Sequence, residues 1–391
     1  MIYLDYNATT PLCSPARAAM RPYLEEHFGN PSSIHAAGRE ARAAIDDARD
    51  ELAALLRTKP HELIFTGSGT EANNLAVLGL ARSQQQRGRH LICGSTEHHA
   101  VLYAFEHLQK REGFEVTFLG VDRLGRIDPV ELARALRAET TLVSIMSANN
   151  ETGVVQPMRE ISACCRARGV LLHSDMVQSF AKQSTDLSDG LVDAASFAAH
   201  KFYGPKGAGL LYLRAGLAIE PIQFGGSHEN QRRPGTENVA AIAGMAAAAN
   251  WASADWEAEQ TREASLRDQL WEEMARAFPS AQRNGHPAHC LANTLNVSFP
   301  GLASETILMT LDLEGVGASS GSACMVGSVV ASHVLLAMGA STAVAGSAIR
   351  FSLGKQTTDA EITQAGAIVQ GVIGRLAAMQ NARAEQVYAA V

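Results

Sequence analysis

Short apolar runs alternate with helix-like segments along the first half of the chain, and this alternation restricts the fold more than any other feature. A short apolar run is typical of a buried strand, whereas apolar residues spaced three and four apart predict a helix. The predicted strands are 62–66, 90–93, 114–121, 141–146, 170–175 and 208–213, and the predicted helices are 15–27, 39–56, 69–80, 129–136 and 158–168. This order favours an α/β fold with a mostly parallel sheet that helices cover on both faces.

The pattern changes after a long, charged helix predicted over 251–278. Beyond it the predicted strands are 294–299 and 348–353, and the predicted helices are 304–313, 332–338 and 359–376. Because strands and helices no longer alternate there, this part favours a separate α+β unit. A chain of 391 residues with 46% hydrophobic content is long enough for two domains.

Composition excludes several classes of protein. A net charge of -7 gives no general attraction to nucleic acid or to anionic lipid. No uncharged apolar run reaches the ~18 residues of a membrane span, and the first residues do not resemble a signal peptide. The six cysteines lack CxxC spacing, which argues against a disulfide framework and against a zinc ribbon, so no metal site is predicted. We expect a reduced, cytoplasmic setting.

A lysine follows one apolar run, at Lys201 in the sequence Ser196-Phe197-Ala198-Ala199-His200-Lys201. Lysine is scarce, with six in the chain, and arginine supplies the other basic residues. An amine beside apolar residues loses hydration and shifts toward its neutral, nucleophilic form. That suits a lysine that forms a Schiff base. The alternative is a lysine that caps the following turn.

A glycine turn follows the strand predicted at 62–66 and opens a helix with Gly69 and Thr70. Backbone N–H groups and the positive end of the helix dipole meet at such a point, which predicts an anion site, most simply for phosphate. The spacing matches neither the GxxxxGK[ST] loop nor GxGxxG. An ordinary strand-to-helix turn is the alternative.

Polar side chains stand just past the ends of several predicted strands, and parallel strands end at one edge of a sheet. These side chains are His98, Asn150 and Asp175, with Gln178 three residues after the aspartate. They suit a pyridoxal phosphate site: Asp175 would pair with the ring nitrogen, His98 would lie over the ring, and Lys201 would hold the aldehyde. A strand-end aspartate is also often a helix cap.

One cysteine stands in a loop of small residues over 316–328, and this residue is Cys324. Three glycines in the loop let other groups approach closely, so Cys324 is predicted to be an exposed thiol. For Cys93, Cys164 and Cys165 a buried position in the core is the expectation. The polar segment 225–238 has no regular pattern and is typical of a functional loop.

Taken together, these stretches resemble the cysteine desulfurases of the NifS/IscS type, which are fold-type I pyridoxal phosphate enzymes of the class-V aminotransferase family. The matching stretches keep the family's order over nearly the whole chain: 3–10, 28–33, 69–71, 96–98, 149–153, 200–201, 204–207, 233, 235–238, 319–324 and 349–353.

The resemblance implies an architecture. The large domain, with a mostly parallel seven-stranded sheet that binds pyridoxal phosphate, would comprise residues 14–257. Residues 1–13 and 258–391 would form a small α+β domain that carries the cysteine loop. The protein would be a homodimer acting on L-cysteine, with a sulfur acceptor such as an iron–sulfur scaffold protein.

The resemblance also implies roles for single residues. Lys201 would hold the cofactor and remove the substrate α-proton, and Cys324 would attack the substrate sulfur and carry it as a persulfide, leaving alanine. Asp175 would pair with the ring nitrogen, Gln178 with the ring hydroxyl, and His98 would stack on the ring and move a proton. The remaining implied contacts are Gly69, Thr70, His200 and the second subunit's Thr236 on the phosphate, and Asn150 and Arg350 on the substrate carboxylate.

Three residues depart from the family pattern. Ala198 replaces a serine whose hydroxyl contacts the phosphate, Met176 replaces an alanine that lies against the ring, and Met325 replaces a threonine or serine. These departures leave open a C–S or C–Se lyase on the same fold, either a cysteine β-lyase or a selenocysteine lyase. A non-catalytic scaffold that binds sulfur acceptors is the third hypothesis, which the intact Lys201 opposes.

Overall fold

The computed structural model describes residues 1–320 and 331–389, so Cys324 and Met325 lie outside the described residues. The strands in chain order are β1 (Ile2–Tyr3), β2 (Leu63–Thr66), β3 (His90–Gly94), β4 (Glu115–Leu119), β5 (Thr140–Ser144), β6 (Leu171–Asp175), β7 (Ala194–Ala198), β8 (Gly209–Leu213), β9 (Gln282–Asn284), β10 (Thr294–Ser298), β11 (Val316–Gly317) and β12 (Ala348–Ser352). The helices are α1 (Ser14–Glu25), α2 (Ala36–Leu56), α3 (Gly69–Gln84), α4 (His99–Glu112), α5 (Pro129–Ala135), α6 (Met158–Ala167), α7 (Val239–Ser253), α8 (Trp256–Ala277), α9 (Ser304–Leu313), α10 (His333–Ala337), α11 (Thr342–Ala345) and α12 (Asp359–Ala389).

A central sheet of seven strands runs in the order β2-β8-β7-β6-β5-β3-β4. Neighbouring strands from β7 through β4 are parallel, and β8 alone runs antiparallel to both of its neighbours. Each of β3, β5, β6, β7 and β8 is buried along its full length, as expected for strands of a sheet covered on both faces. The predicted mostly parallel, seven-stranded α/β fold is therefore confirmed.

Helices cover both faces of this sheet. One face packs against α3 and α4 through side chains such as Leu75 and Phe105. The other face packs against α2 and α7, where Ile45, Leu52 and Met245 are buried. A sheet covered on both faces exposes functional groups mainly at its edges and strand ends, and here the carboxyl ends of β3, β5 and β6 share one edge.

A second core lies in the C-terminal part. It joins α8, α9 and α12 to an antiparallel sheet of order β12-β10-β9, with Leu270, Leu295, Ile307, Phe351 and Val369 buried together. The first residues of the chain contribute to this core as well, because β1 pairs in parallel with β11. The division into domains at 13/14 and 257/258 stays a prediction.

Several elements differ from the sequence-based expectations. The helix predicted over 251–278 begins later, as α8 at Trp256, because α7 continues to Ser253. Helix α4 and the strands β1, β9 and β11 were not predicted. The three strands have only two or three residues each, which is too short for an alternating pattern to be recognised in the sequence. Among the described residues, no helix is both long enough and apolar enough to cross a membrane.

Candidate active site

Lys201 ends a 3₁₀ turn, Ala199–Lys201, directly after β7. Its Nζ donates to the carbonyl oxygens of Asn7 at 2.6 Å and Ala8 at 2.9 Å. Both acceptors belong to the segment that follows β1, so the N-terminal end of the chain sets the position of this amine. The lysine that the sequence singled out therefore stands at the carboxyl end of a central strand, half-buried.

Asp175 is the last residue of β6 and is 5% exposed. Its Oδ2 accepts a hydrogen bond of 2.6 Å from Asn73 Nδ2 on α3, and its Oδ1 accepts one of 2.9 Å from the backbone of Val177. Donors on both oxygens fix the direction of the carboxyl group. Sequence reasoning missed Asn73 as the partner, because its position on α3 becomes relevant only when that helix packs on the sheet.

His98 caps the N-terminus of α4, and its Nδ1 accepts from the backbone N–H of Ala100 at 3.1 Å. The neutral ring therefore carries its proton on Nε2. Burial lowers the pKa of His98, the nearby Lys201 acts in the same direction, and the carboxylate of Asp175 opposes both. These mutual effects place Lys201, Asp175 and His98 around one site, with the imidazole neutral near pH 7.

Gly69 opens α3 after Ser68, whose side chain accepts from the backbone N–H of Glu71 at 3.1 Å. A Cβ added at Gly69 would lie 3.0 Å from Ala198 Cβ and 3.0 Å from Val177 Cγ2. Only glycine thus fits this close approach of helix and strand end. The serine hydroxyl that the family carries at position 198 is missing at the mouth of this turn.

Thr70 is exposed at the same helix start. It lines a cavity of about 480 Å³ together with Asn74, His98 and Tyr103. The cavity adjoins the positive end of the α3 dipole, so the predicted anion site has open space beside it.

Glu71 ties the glycine turn to the loop 225–238. Its Oε2 accepts from the backbone N–H of Gly67 at 2.6 Å, and its Oε1 accepts from Arg233 Nε at 2.7 Å. Thr236, three residues after Arg233, is exposed on the surface of this chain. The structure of the single chain brings the loop to the turn but leaves the Thr236 side chain facing outward.

Asn7 is 1% exposed and connects the residues around the site. Its carbonyl oxygen accepts from Lys201 and also from Gln178 Nε2 at 3.0 Å. Its side chain donates to Thr294 Oγ1 on β10 at 2.9 Å. No role for Asn7 was predicted from the sequence. The signal available was a polar residue in the stretch Tyr6-Asn7-Ala8-Thr9-Thr10 directly after a strand.

Arg350 lies in β12 with its side chain 4% exposed. Its Nη1 donates to the carbonyl oxygen of Asn150 at 2.9 Å, and its Nη2 pairs with Asp5 Oδ1 at 2.7 Å. Its Nε has no hydrogen-bond partner among the described residues. The two residues predicted to receive a carboxylate are therefore adjacent, and one edge of the guanidinium remains to be satisfied.

His200 precedes Lys201, and its Nδ1 lies 3.2 Å from Thr9 Oγ1. Burial lowers the pKa of His200 to about 4, and the positive charges of Lys201 and Lys206 act in the same direction. The ring is therefore a neutral hydrogen-bonding group near pH 7 and supplies no charge to an anion.

Met176 does not lie where the sequence analysis placed it. Its side chain is 4% exposed within the core that includes Ile145 and Phe180, on the face of the sheet covered by α2 and α7. Val177 stands beside Gly69 instead. The structure contradicts the assignment of Met176 to a cofactor ring, because Met176 packs in this core while Val177 faces Gly69.

A family model described as aminotransferase class-V matches residues 2–364. The chain belongs to the class-V aminotransferase family. The cysteine desulfurase IscS of Dictyoglomus turgidum is 44% identical over 375 residues, covering 96% of this chain and 95% of that protein. The resemblance to the NifS/IscS group of this family is thereby confirmed.

Solved structures of class-V relatives support the same grouping. A NifS-like protein superposes with a TM-score of 0.90 at 34% identity, covering 96% of this chain and 99% of that one. A structure described as SspA in complex with cysteine has a TM-score of 0.79 at 34% identity, covering 90% of this chain and 98% of that one. Among the described side chains of this family member, no group of three or more His, Cys, Asp or Glu is arranged to hold a metal ion.

Proposed function

We propose that the protein is a pyridoxal phosphate-dependent cysteine desulfurase. It takes L-cysteine, breaks the bond between Cβ and sulfur, and forms a sulfur–sulfur bond on Cys324, so that L-alanine and a persulfide result. The observation that carries this proposal is the convergence of an amine, a carboxylate and a neutral imidazole, Lys201, Asp175 and His98, at one sheet edge. The convergence occurs in a chain 44% identical to a cysteine desulfurase.

The residues present fit pyridoxal phosphate. The start of α3 offers backbone donors and dipole charge for the phosphate, and the glycine at position 69 keeps that approach open. Asp175 would accept a hydrogen bond from the ring nitrogen, and Gln178 would offer an amide to the ring hydroxyl. When bound, the cofactor supplies a ring that stabilises negative charge at the substrate α-carbon.

Protein groups perform the remaining tasks. Lys201 holds the aldehyde and serves as the base for the α-proton, because its nitrogen stands at the site's edge. The neutral His98 carries a proton on Nε2 that it can donate. Asn150 and Arg350 receive the substrate carboxylate, for which the unsatisfied Nε of Arg350 supports the assignment.

The phosphate contacts of Thr70, His200 and Thr236 belong to this proposal as well. Thr236 is exposed on its own chain, which suits a homodimer in which each subunit completes the other's phosphate site. We further propose that the persulfide sulfur passes to an acceptor protein for iron–sulfur cluster assembly or thio-modification.

One of the observations behind the lyase hypothesis, the methionine at position 176, no longer supports it, since Met176 is buried in the core. Met325, the other observation, lies outside the described residues. The two reactions differ in products: a desulfurase releases alanine, whereas a β-eliminating lyase releases pyruvate and ammonia.

A product assay with L-cysteine tests the proposal. The wild-type protein should release alanine, and Cys324→Ser should lose alanine and persulfide formation while the cofactor stays bound. Cys290→Ser is the matched control, because Cys290 Sγ lies against the carbonyl oxygen of Thr152 and has no proposed role. Pyruvate as the main product, or full turnover by Cys324→Ser, would refute the proposal.

A further inference from the structure

A second lysine, Lys182, lies beside the proposed site without a role in the mechanism above. Its Nζ donates to Gln178 Oε1 at 3.1 Å and to Asn7 Oδ1 at 3.4 Å. It shares a small cavity with Lys201, Phe202 and Tyr203. Lys182 thus contacts Asn7, whose carbonyl oxygen accepts from the Lys201 amine, and Gln178, which donates to the same carbonyl oxygen.

We propose that Lys182 is a positioning residue: its ammonium fixes the amide orientation of Gln178, so that Gln178 offers only N–H donors to the site. This inference rests on the proposed function, because it concerns how the protein holds pyridoxal phosphate.

The argument begins with the chemistry of the partners. An ammonium group has three donors and no acceptor, so Gln178 must turn its carbonyl oxygen toward Lys182. Its NH₂ group then donates one hydrogen to the carbonyl oxygen of Asn7, at 3.0 Å. The second N–H of that group remains, and it requires an acceptor. The phenolic oxygen of pyridoxal phosphate, as an anion, is such an acceptor.

Hydrogen bonds from several sides hold Asn7 in place, so it is a rigid partner for the side chains that contact it. Its Oδ1 accepts from Lys182 and also from Asn293 Nδ2 at 3.0 Å, and its backbone N–H donates to Ser352 Oγ at 2.9 Å. The same residue accepts from Lys201. Lys182, Gln178 and Lys201 therefore meet at one buried, hydrogen-bonded asparagine.

Charges from three directions act on Lys182. Burial lowers the pKa of Lys182 to about 7, the carboxylate of Glu263 on α8 opposes this shift, and the positive charges of Lys201 and Arg350 reinforce it, so Lys182 is mainly an ammonium below about pH 7. Burial in turn raises the pKa of Glu263, and Lys182 lowers it. Glu259 and Lys355 line the same cavity. A positive charge beside the Lys201 nitrogen disfavours protonation of that nitrogen.

Loss of Lys182 should have two consequences in the same direction. Without its anchor, Gln178 stabilises the anionic ring oxygen less well, and the nearby positive charge disappears. Both changes favour protonation at the Lys201 linkage. The apparent pKa of the visible absorbance of bound pyridoxal phosphate should therefore rise, by about one pH unit.

The experiment is a pH titration of this absorbance in the cofactor-loaded protein. Lys182→Met and Lys182→Gln should shift the midpoint upward by about one unit, since both are neutral. Lys182→Arg keeps a donor-only cation and should titrate within about 0.3 units of wild type. Replacement of a buried charge by Met often preserves folding, and the Arg variant tests the idea even if Met unfolds the chain.

Two controls separate positioning from a general effect of charge. Lys355→Met removes a cation from the same cavity, but Lys355 donates to the carbonyl oxygen of Trp251 at 3.1 Å and lies 4.6 Å from the Trp251 ring. It should leave the midpoint nearly unchanged. In a Gln178→Ala background, Lys182→Met should shift the midpoint by less than half as much, because the two residues act together.

An equal shift from Lys355→Met, or full additivity with Gln178→Ala, would overturn the inference. So would a Lys182→Met protein that titrates as wild type does. If the wild-type protein meanwhile releases alanine from cysteine, the proposed function stands and only the role of Lys182 falls.

Discussion

The Lys201 amine lies 2.6 Å from the carbonyl oxygen of Asn7, a residue 194 positions earlier in the chain. The two residues come from the middle and the beginning of the polypeptide: the lysine follows β7, and the acceptor lies in the segment after β1. Because β1 pairs with β11, the same segment also belongs to the C-terminal sheet region. The reactive amine is thus oriented by a chain segment that both cores hold.

The first prediction concerns this amine. Reduction of the cofactor-loaded protein with borohydride should fix pyridoxal phosphate covalently to Lys201, because a Schiff base becomes a stable secondary amine. Mass spectrometry of peptides should place the added mass on Lys201. Lys201→Arg should abolish the trapping, while Lys206→Arg, an exposed lysine five residues later, should retain it. Label on another lysine would contradict the assignment.

The second prediction restores a missing hydroxyl. Ala198 Cβ lies next to the start of α3, at the position where the family carries a serine. Ala198→Ser should strengthen cofactor binding about two- to tenfold, the ordinary worth of one added hydrogen bond. Rebinding of pyridoxal phosphate to stripped protein, followed by absorbance, measures this change. Ala254→Ser, on an exposed alanine after α7, should bind the cofactor as wild type does; weaker binding by Ala198→Ser would contradict the prediction.

The third prediction tests the guanidinium of Arg350. Arg350→Lys keeps the charge but loses the planar fork that contacts Asn150 and Asp5 together. The KM for L-cysteine should rise at least about tenfold, corresponding to one lost charge-assisted hydrogen bond, with the cofactor still bound. Steady-state kinetics on alanine release measure the effect. Arg283→Lys, in β9 of the same sheet, should leave KM unchanged, and a normal KM in Arg350→Lys would exclude a substrate contact.

The fourth prediction concerns acid stability. His173 in β6 is fully buried between the hydroxyl groups of Ser144 and Ser196, and burial lowers its pKa to about 3. The unfolded chain binds a proton near pH 6.5, whereas the folded protein does not. The contribution of the His173 pKa shift to the free energy of unfolding is therefore fully present above pH 6.5 and is lost as the pH falls toward 3.

Urea unfolding at pH 7 and pH 5 measures this loss. From pH 7 to pH 5 the free energy of unfolding should fall by about 2 kcal/mol more in the wild-type protein than in His173→Gln. The variant has no imidazole that can bind a proton on unfolding. Other buried histidines contribute equally to both proteins and cancel in the comparison. His61→Gln, at an exposed histidine, should behave as wild type does. An identical pH dependence in His173→Gln would show that His173 is protonated in the folded state.

Local sequence was enough to predict most of the large sheet. Apolar runs revealed the strands, and polar residues past their ends pointed to Asp175 and His98. Other features could not be predicted from the sequence, since they depend on contacts between distant segments. The antiparallel direction of β8, the short strand pair of β1 and β11, and the hydrogen bond from Asn73 to Asp175 all belong to this second kind.

By itself, the amino-acid sequence determined which segments become strands and helices, because periodicity and apolar burial act over a few neighbouring residues. It also determined the family, through motifs kept in order along the chain. Tertiary structure alone decided which face of the sheet receives Met176 and which receives Val177. It alone made Asn7 the meeting point of Lys201, Gln178 and Lys182. The reason is physical: a hydrogen bond between residues nearly two hundred positions apart exists only after packing has brought both segments together.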